Sequence, residues 1–152
     1  AAKLEGKSVG IEDVLDRWEK IKGKHGFFIV EGAGGISVPL GEQFLVSDLI
    51  KALKLPVLIV ARPNLGTVNH IFLTVQYAKS LGLTIAGIIM NGISENPSLA
   101  EITNPKLIEE LCGVSILGIT PKLKDLTLAN IKNMVKEHVD MTLLLNEKEL
   151  RG

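Results

Sequence analysis

The chain has 152 residues, of which 46% are hydrophobic, so it has the size of one ordinary domain and can bury a substantial core. Its 17 basic and 17 acidic residues cancel without any block of like charge, which argues against a nucleic-acid footprint or a polybasic membrane patch. We therefore expect a single domain, residues 1–152, whose partners are small molecules or a second copy. Its one cysteine, Cys112, excludes an internal disulfide framework, fits a reducing, cytoplasmic compartment and is expected to be a small buried apolar residue.

The first predicted element is a helix over residues 11–21, where apolar residues recur at helical spacing and Gly23 follows as a stop signal. This spacing makes Trp18 a predicted core residue. Upstream, Gly6-Lys7-Ser8 resembles the end of a Walker A loop, but Ala1 stands where that pattern needs glycine. Because no strand pattern precedes it either, we do not interpret this segment as a phosphate-binding loop.

A glycine-rich stretch follows an apolar run and predicts a site. Phe27–Val30 is typical of a strand buried on both faces, and Glu31 follows where open α/β sheets place their ligands. Gly32, Gly34 and Gly35 can adopt positive φ and bring backbone N–H groups near an anion. Because a carboxylate can hold Mg²⁺ directly or through water, the stretch favours a metal-linked phosphate or carboxylate site. The alternative is a tight turn whose glutamate caps a neighbour.

Strand and helix patterns alternate through the rest of the chain. The predicted elements are a helix over 44–53, a strand over 55–61, a helix over 67–81, a strand over 84–90, a helix over 105–111 opened by Pro105, a strand over 114–119 and a mostly helical segment over 126–145. This alternation predicts an α/β fold with a mostly parallel sheet and helices on both faces. Because right-handed crossovers return every strand in the same direction, all four strand exits are expected to share one edge, the candidate site. The exits are at Glu31, Arg62, Asn91 and Thr120.

Two blocks are specific when taken together, Glu31-Gly32-Ala33-Gly34-Gly35 and Leu65-Gly66-Thr67-Val68-Asn69-His70. With further blocks at 85–91 and 117–121, they resemble dethiobiotin synthetase, the ATP-dependent family of biotin biosynthesis, in order and spacing over nearly the whole chain. The resemblance implies a P-loop NTPase fold, which is Rossmann-like, and a homodimer.

The resemblance also implies a cyclo-ligase reaction that closes 7,8-diaminononanoate with CO₂ to give dethiobiotin. In that reaction the diamine takes up CO₂ as a carbamate, and the carbamate oxygen attacks the γ-phosphate of MgATP to form a carbamic-phosphoric anhydride. The second amine then closes the ureido ring as phosphate leaves. ATP, Mg²⁺, the diamine and CO₂ or bicarbonate are the implied participants, and the site must position them and neutralise charge.

Residue by residue, the resemblance makes Glu31 a Mg²⁺ ligand, in agreement with its carboxylate chemistry. The implied substrate-binding residues are Gly32, Ala33, Gly34, Gly66, Thr67 and Asn69. The last three begin a predicted helix that reaches the substrate carboxylate across the dimer, and a helix N-terminus is a sound anion site. Taken alone, Asn69 is more typical of a helix cap, and His70 of a packed or capping side chain.

The implied nucleotide-binding residues are Glu31, Asn91, Thr120, Pro121 and Leu123. The Asn91 side-chain amide offers a donor and an acceptor to the adenine edge. Taken alone, Asn91-Gly92 is first a turn signal. Arg62 lies at a strand exit where it could meet a carboxylate or phosphate, and the resemblance assigns it no role.

Some groups that the resemblance implies are outside this chain. The family's Walker A loop, its catalytic lysine and a second metal carboxylate precede the region matched by Ala1, so we expect no catalytic residue within residues 1–152. We therefore expect the carboxyl-terminal part of a dethiobiotin synthetase, inactive by itself. A sheet without its first strand is also expected to expose an apolar edge.

Two other classes of protein stay open on the sequence. One is a related synthetase such as the cobyrinic-acid amidating enzymes, which carry a glutaminase domain. The other is a non-catalytic nucleotide-binding module, either regulatory or of the partition type. The partition type would need a basic amphipathic helix or a DNA-binding surface, and residues 132–152 show no basic face. A nicotinamide dehydrogenase is excluded because Ser37 stands where its motif needs a third glycine.

Overall fold

The computed structural model of the protein describes residues 2–6, 8–41 and 43–145. Ala1 and Lys7 belong to the segment that resembles the end of a Walker A loop, and residues 146–152 belong to the segment 132–152, which shows no basic face in the sequence. Both sets, which are also part of the predicted domain 1–152, lie outside the described residues. The chain divides into two compact units, with the boundary between Leu55 and Pro56. The single domain predicted for residues 1–152 stays a prediction. Within the described ranges, no helix is both long enough and apolar enough to cross a membrane.

The amino-terminal unit contains a short 3₁₀ helix and two α-helices. The 3₁₀ helix covers Ala2–Glu5, α1 covers Ile11–Ile21 and α2 covers Val46–Leu53. An acidic side chain defines the start of each α-helix by accepting a hydrogen bond from the backbone three residues earlier. Asp13 accepts from the N–H of Gly10 at 3.0 Å, and Asp48 accepts from the N–H of Leu45 at 2.7 Å. α1 therefore has the predicted bounds, whereas α2 begins two residues after the predicted position 44.

The buried strand predicted for Phe27–Val30 is wrong. The segment forms no ladder, and the side chains of Phe27 and Ile29 are 59% and 86% exposed. A strand needs a hydrogen-bonded neighbour, and the described part of this unit offers only an isolated bridge between Pro39 and Leu45. Trp18 is likewise half-buried instead of a core residue, and its ring packs edge-to-face on Phe28 with 5.1 Å between centroids.

The carboxyl-terminal unit is built on a parallel three-stranded sheet in the order β1-β2-β3. Its elements are β1 Val57–Ala61, α3 Thr67–Ser80, β2 Ile85–Ile93, α4 Leu99–Cys112, β3 Ile116–Pro121, α5 Leu128–His138 and α6 Met141–Leu144. The α/β class and the parallel sheet that the sequence predicts are thereby confirmed. β1 is an edge strand in the described part of this sheet, and the Leu58 and Val60 side chains, which lie on one face of it, are exposed.

β2 and β3 extend further than the sequence predicts. Asn91 and Gly92 lie within β2 and not after it, and Thr120 and Pro121 are the last residues of β3. Both strands are longer because they pair with each other: Asn91 is in register with Thr120, and the ladder continues to Pro121. Ladder ends depend on the partner strand, which a local pattern does not contain.

α4 begins at Leu99, so the prediction that Pro105 opens this helix is wrong. Ser98 and Glu101 form a reciprocal capping box in which the Ser98 N–H donates to the Glu101 carboxylate at 2.8 Å. Hydrogen bonds from Ser98 and Ser94 hold the pKa of Glu101 below its usual value. The helix therefore starts at the capping box, and Pro105 lies inside it.

The last helical segment is broken at Val139 and Asp140, because both residues bond to β3. Val139 forms an isolated bridge with Gly118, and the Asp140 N–H donates to the Leu117 carbonyl at 2.7 Å. The Asp140 carboxylate then caps α6 by accepting hydrogen bonds from the N–H groups of Thr142 and Leu143.

The core of this unit lies between the sheet and the helices α3 and α4. Its buried members are Ile59, Ile71, Val75, Ile88, Met90, Ile108 and Cys112. Both helices contribute pairs spaced four residues apart, as expected for one face of a helix. Cys112 is 3% exposed, which confirms the prediction of a buried apolar residue, and burial raises the pKa of its thiol.

Candidate functional site

Three of the four predicted strand exits share one edge of the sheet. Ala61 is paired with Met90 and Asn91 with Thr120, so β1, β2 and β3 end on the same side and Arg62 leaves β1 there. Ligands of open α/β sheets bind outside this carboxyl edge. The prediction that Glu31 is a fourth strand exit is wrong, because residues 27–30 form no strand, and Glu31 belongs to the amino-terminal unit.

Asn91 and Thr120 form a hydrogen-bonded pair at this edge. The Thr120 hydroxyl donates to Oδ1 of Asn91 at 2.7 Å. Thr120 is only 2% exposed, whereas Asn91 is exposed. Oδ1 keeps a second lone pair after it accepts from Thr120, and the amide nitrogen of Asn91 bonds to no described residue, so the amide can offer a ligand one acceptor and one donor. Gly92, at φ +88°, lies where the pairing of β2 with β3 is irregular, between Asn91 and Ile93.

Two further predicted nucleotide residues follow at the end of β3. Pro121 closes the strand and Leu123 comes two residues later, and both are half-buried. Between them, the N–H of Lys122 donates to the carbonyl of Ile93 at 3.0 Å. This bond joins the chain that leaves β3 to the end of β2, so the two residues lie near the strand ends that hold Asn91.

The start of α3 contains the predicted substrate residues of this unit. Gly66 is the N-cap with φ +92°, Thr67 is buried as the first helical residue, and Asn69 is exposed in the first turn. The interpretation of Asn69 as a cap is wrong, because glycine occupies the cap position and no side chain caps the helix. His70 is exposed, neither packed nor capping, since the helix already begins three residues before it.

A groove of about 490 Å³ runs along β1 and the first turns of α3. Its polar wall includes Arg62, Thr67 and His70, and its floor is apolar. Arg62 is exposed and pairs with no acidic side chain in the described ranges. A guanidinium beside a helix N-terminus suits an anion such as a carboxylate.

Asn104 holds the loop beside this groove, and the sequence predictions missed it. Its side-chain nitrogen donates to the carbonyl of Pro63 at 3.0 Å and to that of Asn64 at 3.5 Å, and the residue is 7% exposed. The bonds connect α4 to the loop that leads into α3. No local signal marks Asn104 for this role, because its partners are about 40 residues away.

Replacing Asn104 with alanine is expected to lower the free energy of unfolding by about 1–3 kcal/mol, because the Pro63 carbonyl would stay buried without a donor. Urea unfolding followed by circular dichroism measures the change. Asn130→Ala is the matched control, since its amide donates to the Asp125 carbonyl at the exposed surface and should cost under about 0.5 kcal/mol. Equal losses in the two variants would show that the buried bond does not stabilise the loop.

In the amino-terminal unit, the glycine-rich loop leads into α2. Gly34 has φ +84°, whereas Gly32 and Gly35 do not adopt positive φ, so the predicted use of all three is correct only at Gly34. The N–H groups of Gly32, Ala33 and Gly34 donate to no backbone carbonyl of a described residue. The loop is also tight, because a Cβ on Gly32 would lie 3.1 Å from Cγ1 of Val46. These free N–H groups are what an anion-binding loop needs.

The Glu31 carboxylate at the start of this loop is exposed and makes no hydrogen bond or ion pair with a described residue. The alternative of a capping glutamate is therefore not observed. No group of three His, Cys, Asp or Glu side chains that could hold a metal occurs in the described ranges. A lone carboxylate fits Mg²⁺ when nucleotide phosphates and water complete its shell, which is the common arrangement for this ion.

Comparison with known proteins shows the family. A family model described as an AAA domain matches residues 1–130. The chain is 59% identical over 150 residues to a Bacillus licheniformis protein named ATP-dependent dethiobiotin synthetase BioD, covering 99% of this chain and 64% of that protein. Proteins with the same name from Bacillus subtilis strain 168 and Bacillus cereus strain ATCC 14579 are 63% and 41% identical over 97% and 100% of the chain.

The chain spans about 64% of the length of the first of these relatives and 64% and 65% of the other two. The matched family agrees with the parallel α/β sheet and with the P-loop NTPase architecture that the sequence resemblance implies. The resemblance to dethiobiotin synthetases, seen first in two short blocks, is confirmed over nearly all of the chain. The chain therefore belongs to the AAA-domain family, and within it resembles the dethiobiotin synthetases.

Proposed function

We propose that the protein that carries this chain is an ATP-dependent dethiobiotin synthetase, a ligase of biotin biosynthesis. The observation that carries the proposal is the 59–63% identity, over 97–99% of the chain, to relatives of that name. The proposed substrates are 7,8-diaminononanoate, CO₂ or bicarbonate, and ATP, in a cytoplasmic homodimer.

In this proposal, the sheet edge of the carboxyl-terminal unit serves the nucleotide base. Asn91 contacts the adenine edge, while Pro121 and Leu123 pack beside the base. The exposed amide of Asn91, and the strand ends that surround it, support this role. Base recognition by a side-chain amide requires one donor and one acceptor, and Asn91 carries both.

The substrate and the phosphates are assigned to the helix start and to the glycine-rich loop. The uncapped N-terminus of α3, from Gly66 to Asn69, binds the carboxylate of the diamine in the other copy of the dimer. The N–H groups of Gly32, Ala33 and Gly34 bind the reacting end of the substrate. Glu31 holds Mg²⁺, which when bound neutralises negative charge on the phosphates of ATP.

The direct test is an assay of the protein that carries this chain with 7,8-diaminononanoate, bicarbonate and MgATP. We expect dethiobiotin, identified by mass spectrometry, to form in equal amounts with ADP. Mixtures without the diamine or without bicarbonate are the controls, and neither should consume ATP at the full rate. ATP consumption that does not depend on the diamine would contradict the proposal and favour a nucleotide-dependent switch.

Asn69→Ala is expected to raise the KM for the diamine roughly tenfold while leaving the Kd of ATP unchanged, because a hydrogen bond to a charged group is lost. Gln76→Ala is a matched control, since Gln76 is an exposed amide two turns further along α3. Steady-state kinetics in the diamine and calorimetry with ATP measure the two constants. Equal weakening of both ligands would assign Asn69 a structural role instead.

A further inference from the structure

The hydrogen bond between Thr120 and Asn91 bears on how the Asn91 amide is oriented, and not on whether Thr120 itself contacts a ligand. Thr120 is almost completely buried, so its side chain can act on a nucleotide only through Asn91. We infer that Thr120 is a positioning residue that sets the base preference of the nucleotide site by holding the Asn91 amide in one orientation. This inference rests on the proposed function, in which Asn91 contacts the base.

The Thr120 hydroxyl fixes the orientation of the Asn91 amide because its single proton has a single acceptor. That acceptor is Oδ1 of Asn91, at 2.7 Å, and no other described residue accepts a bond from the hydroxyl. If the amide turned by half a rotation, its nitrogen would face the hydroxyl. The hydroxyl could accept from it, but its own proton would be buried without a partner, which disfavours the turned state by roughly tenfold.

A fixed amide distinguishes adenine from 6-oxopurines. Adenine presents the N6 amino donor beside the N7 acceptor, and an asparagine pairs with both atoms through its oxygen and its nitrogen. Oδ1 keeps a second lone pair for N6 after it accepts from Thr120. Hypoxanthine and guanine present O6 in place of N6, so an acceptor would face an acceptor. An amide that is free to turn can donate to O6 instead, and the discrimination falls.

The test compares ATP with ITP, whose base lacks the amino group at position 6, by calorimetry on the protein that carries this chain. The wild-type protein should bind ATP more tightly than ITP. Thr120→Val, which keeps the shape and removes the hydroxyl, should lower the ratio of the two affinities roughly fivefold to tenfold. Thr120→Ser should keep the ratio because it keeps the donor.

Thr103→Val is the matched control for losing a threonine hydroxyl, because Thr103 donates to the Leu99 carbonyl on the exposed surface of α4. It should leave the ratio unchanged. Thr120→Ala serves as the second variant if valine does not fit the buried position, and it should lower the ratio in the same way. A general loss of structure would weaken ATP and ITP together and could not lower the ratio selectively.

The outcomes separate this inference from the proposed function. If Asn91→Ala weakens ATP binding while Thr120→Val and Thr120→Ala keep the wild-type ratio, the inference is overturned and the nucleotide site stands. Equal wild-type affinities for ATP and ITP, with dethiobiotin still formed, also overturn the inference alone. If Asn91→Ala leaves ATP binding unchanged, both the assignment of Asn91 and the inference are wrong.

Discussion

Replacing Glu31 with glutamine, in the protein that carries this chain, is expected to lower kcat for dethiobiotin formation about a hundredfold or more. A metal ion contributes several kcal/mol of charge stabilisation to phosphoryl transfer, and a neutral amide is a much weaker ligand for it. Glutamine keeps the size of the side chain and one acceptor oxygen, so the change removes charge and little else. The exposed, unpaired state of Glu31 makes a structural cost of this substitution small.

The measurement is kcat as a function of Mg²⁺ concentration at saturating ATP and diamine. We expect the variant to need more Mg²⁺ for half of its reduced maximal rate, because in the proposed function the carboxylate that is lost is a ligand of the ion. Glu19→Gln is a suitable control, since Glu19 pairs with Lys22 on the exposed face of α1 and should leave the rate unchanged. A near-normal rate at saturating Mg²⁺ would remove Glu31 from the metal site.

Gly118→Ala is expected to produce the largest loss of stability, about 2–3 kcal/mol of the free energy of unfolding. A Cβ at this position would overlap the backbone oxygen of His138 and would lie 3.0 Å from Cα of Val139. Both atoms belong to the backbone that bridges to β3, so neither can move aside as a flexible side chain would. The methyl group can be accommodated only by displacing this bridge and the hydrogen bond from Asp140 to Leu117.

Urea unfolding followed by circular dichroism measures the loss of stability in Gly118→Ala. The control is the same substitution at a glycine whose added Cβ would meet no other atom. Gly23 is the matched position, because a Cβ there meets no atom within 4 Å and its φ is not positive. Gly23→Ala should be neutral or slightly stabilising, because it reduces the freedom of the unfolded chain. If the two variants unfold at the same urea concentration, the bridge to Val139 does not constrain Gly118.

Local patterns predicted the elements that carry their own start and stop signals. α1 has the predicted bounds because its apolar face, its acidic first turn and its terminal glycine lie within one short segment. The start of α3 after Gly66 was also predicted, from the apolar spacing of its residues, although its first turn contains no acidic residue. The beginning of α4 was missed although Ser98 and Glu101 form a readable capping box, because Pro105 was taken as the first helical residue.

The sequence by itself determined the α/β class, the family and the residues that resemble a nucleotide and substrate site, because periodicity and short motifs are local properties. Only the tertiary structure decided which of those residues meet. It paired Asn91 with Thr120 and joined Asn104 to Pro63, across 29 and 41 positions of the chain. It also left Phe27–Val30 outside any sheet. A strand, a buried hydroxyl and a buried amide each depend on a hydrogen-bonding partner that is distant in the chain, and no local pattern specifies that partner.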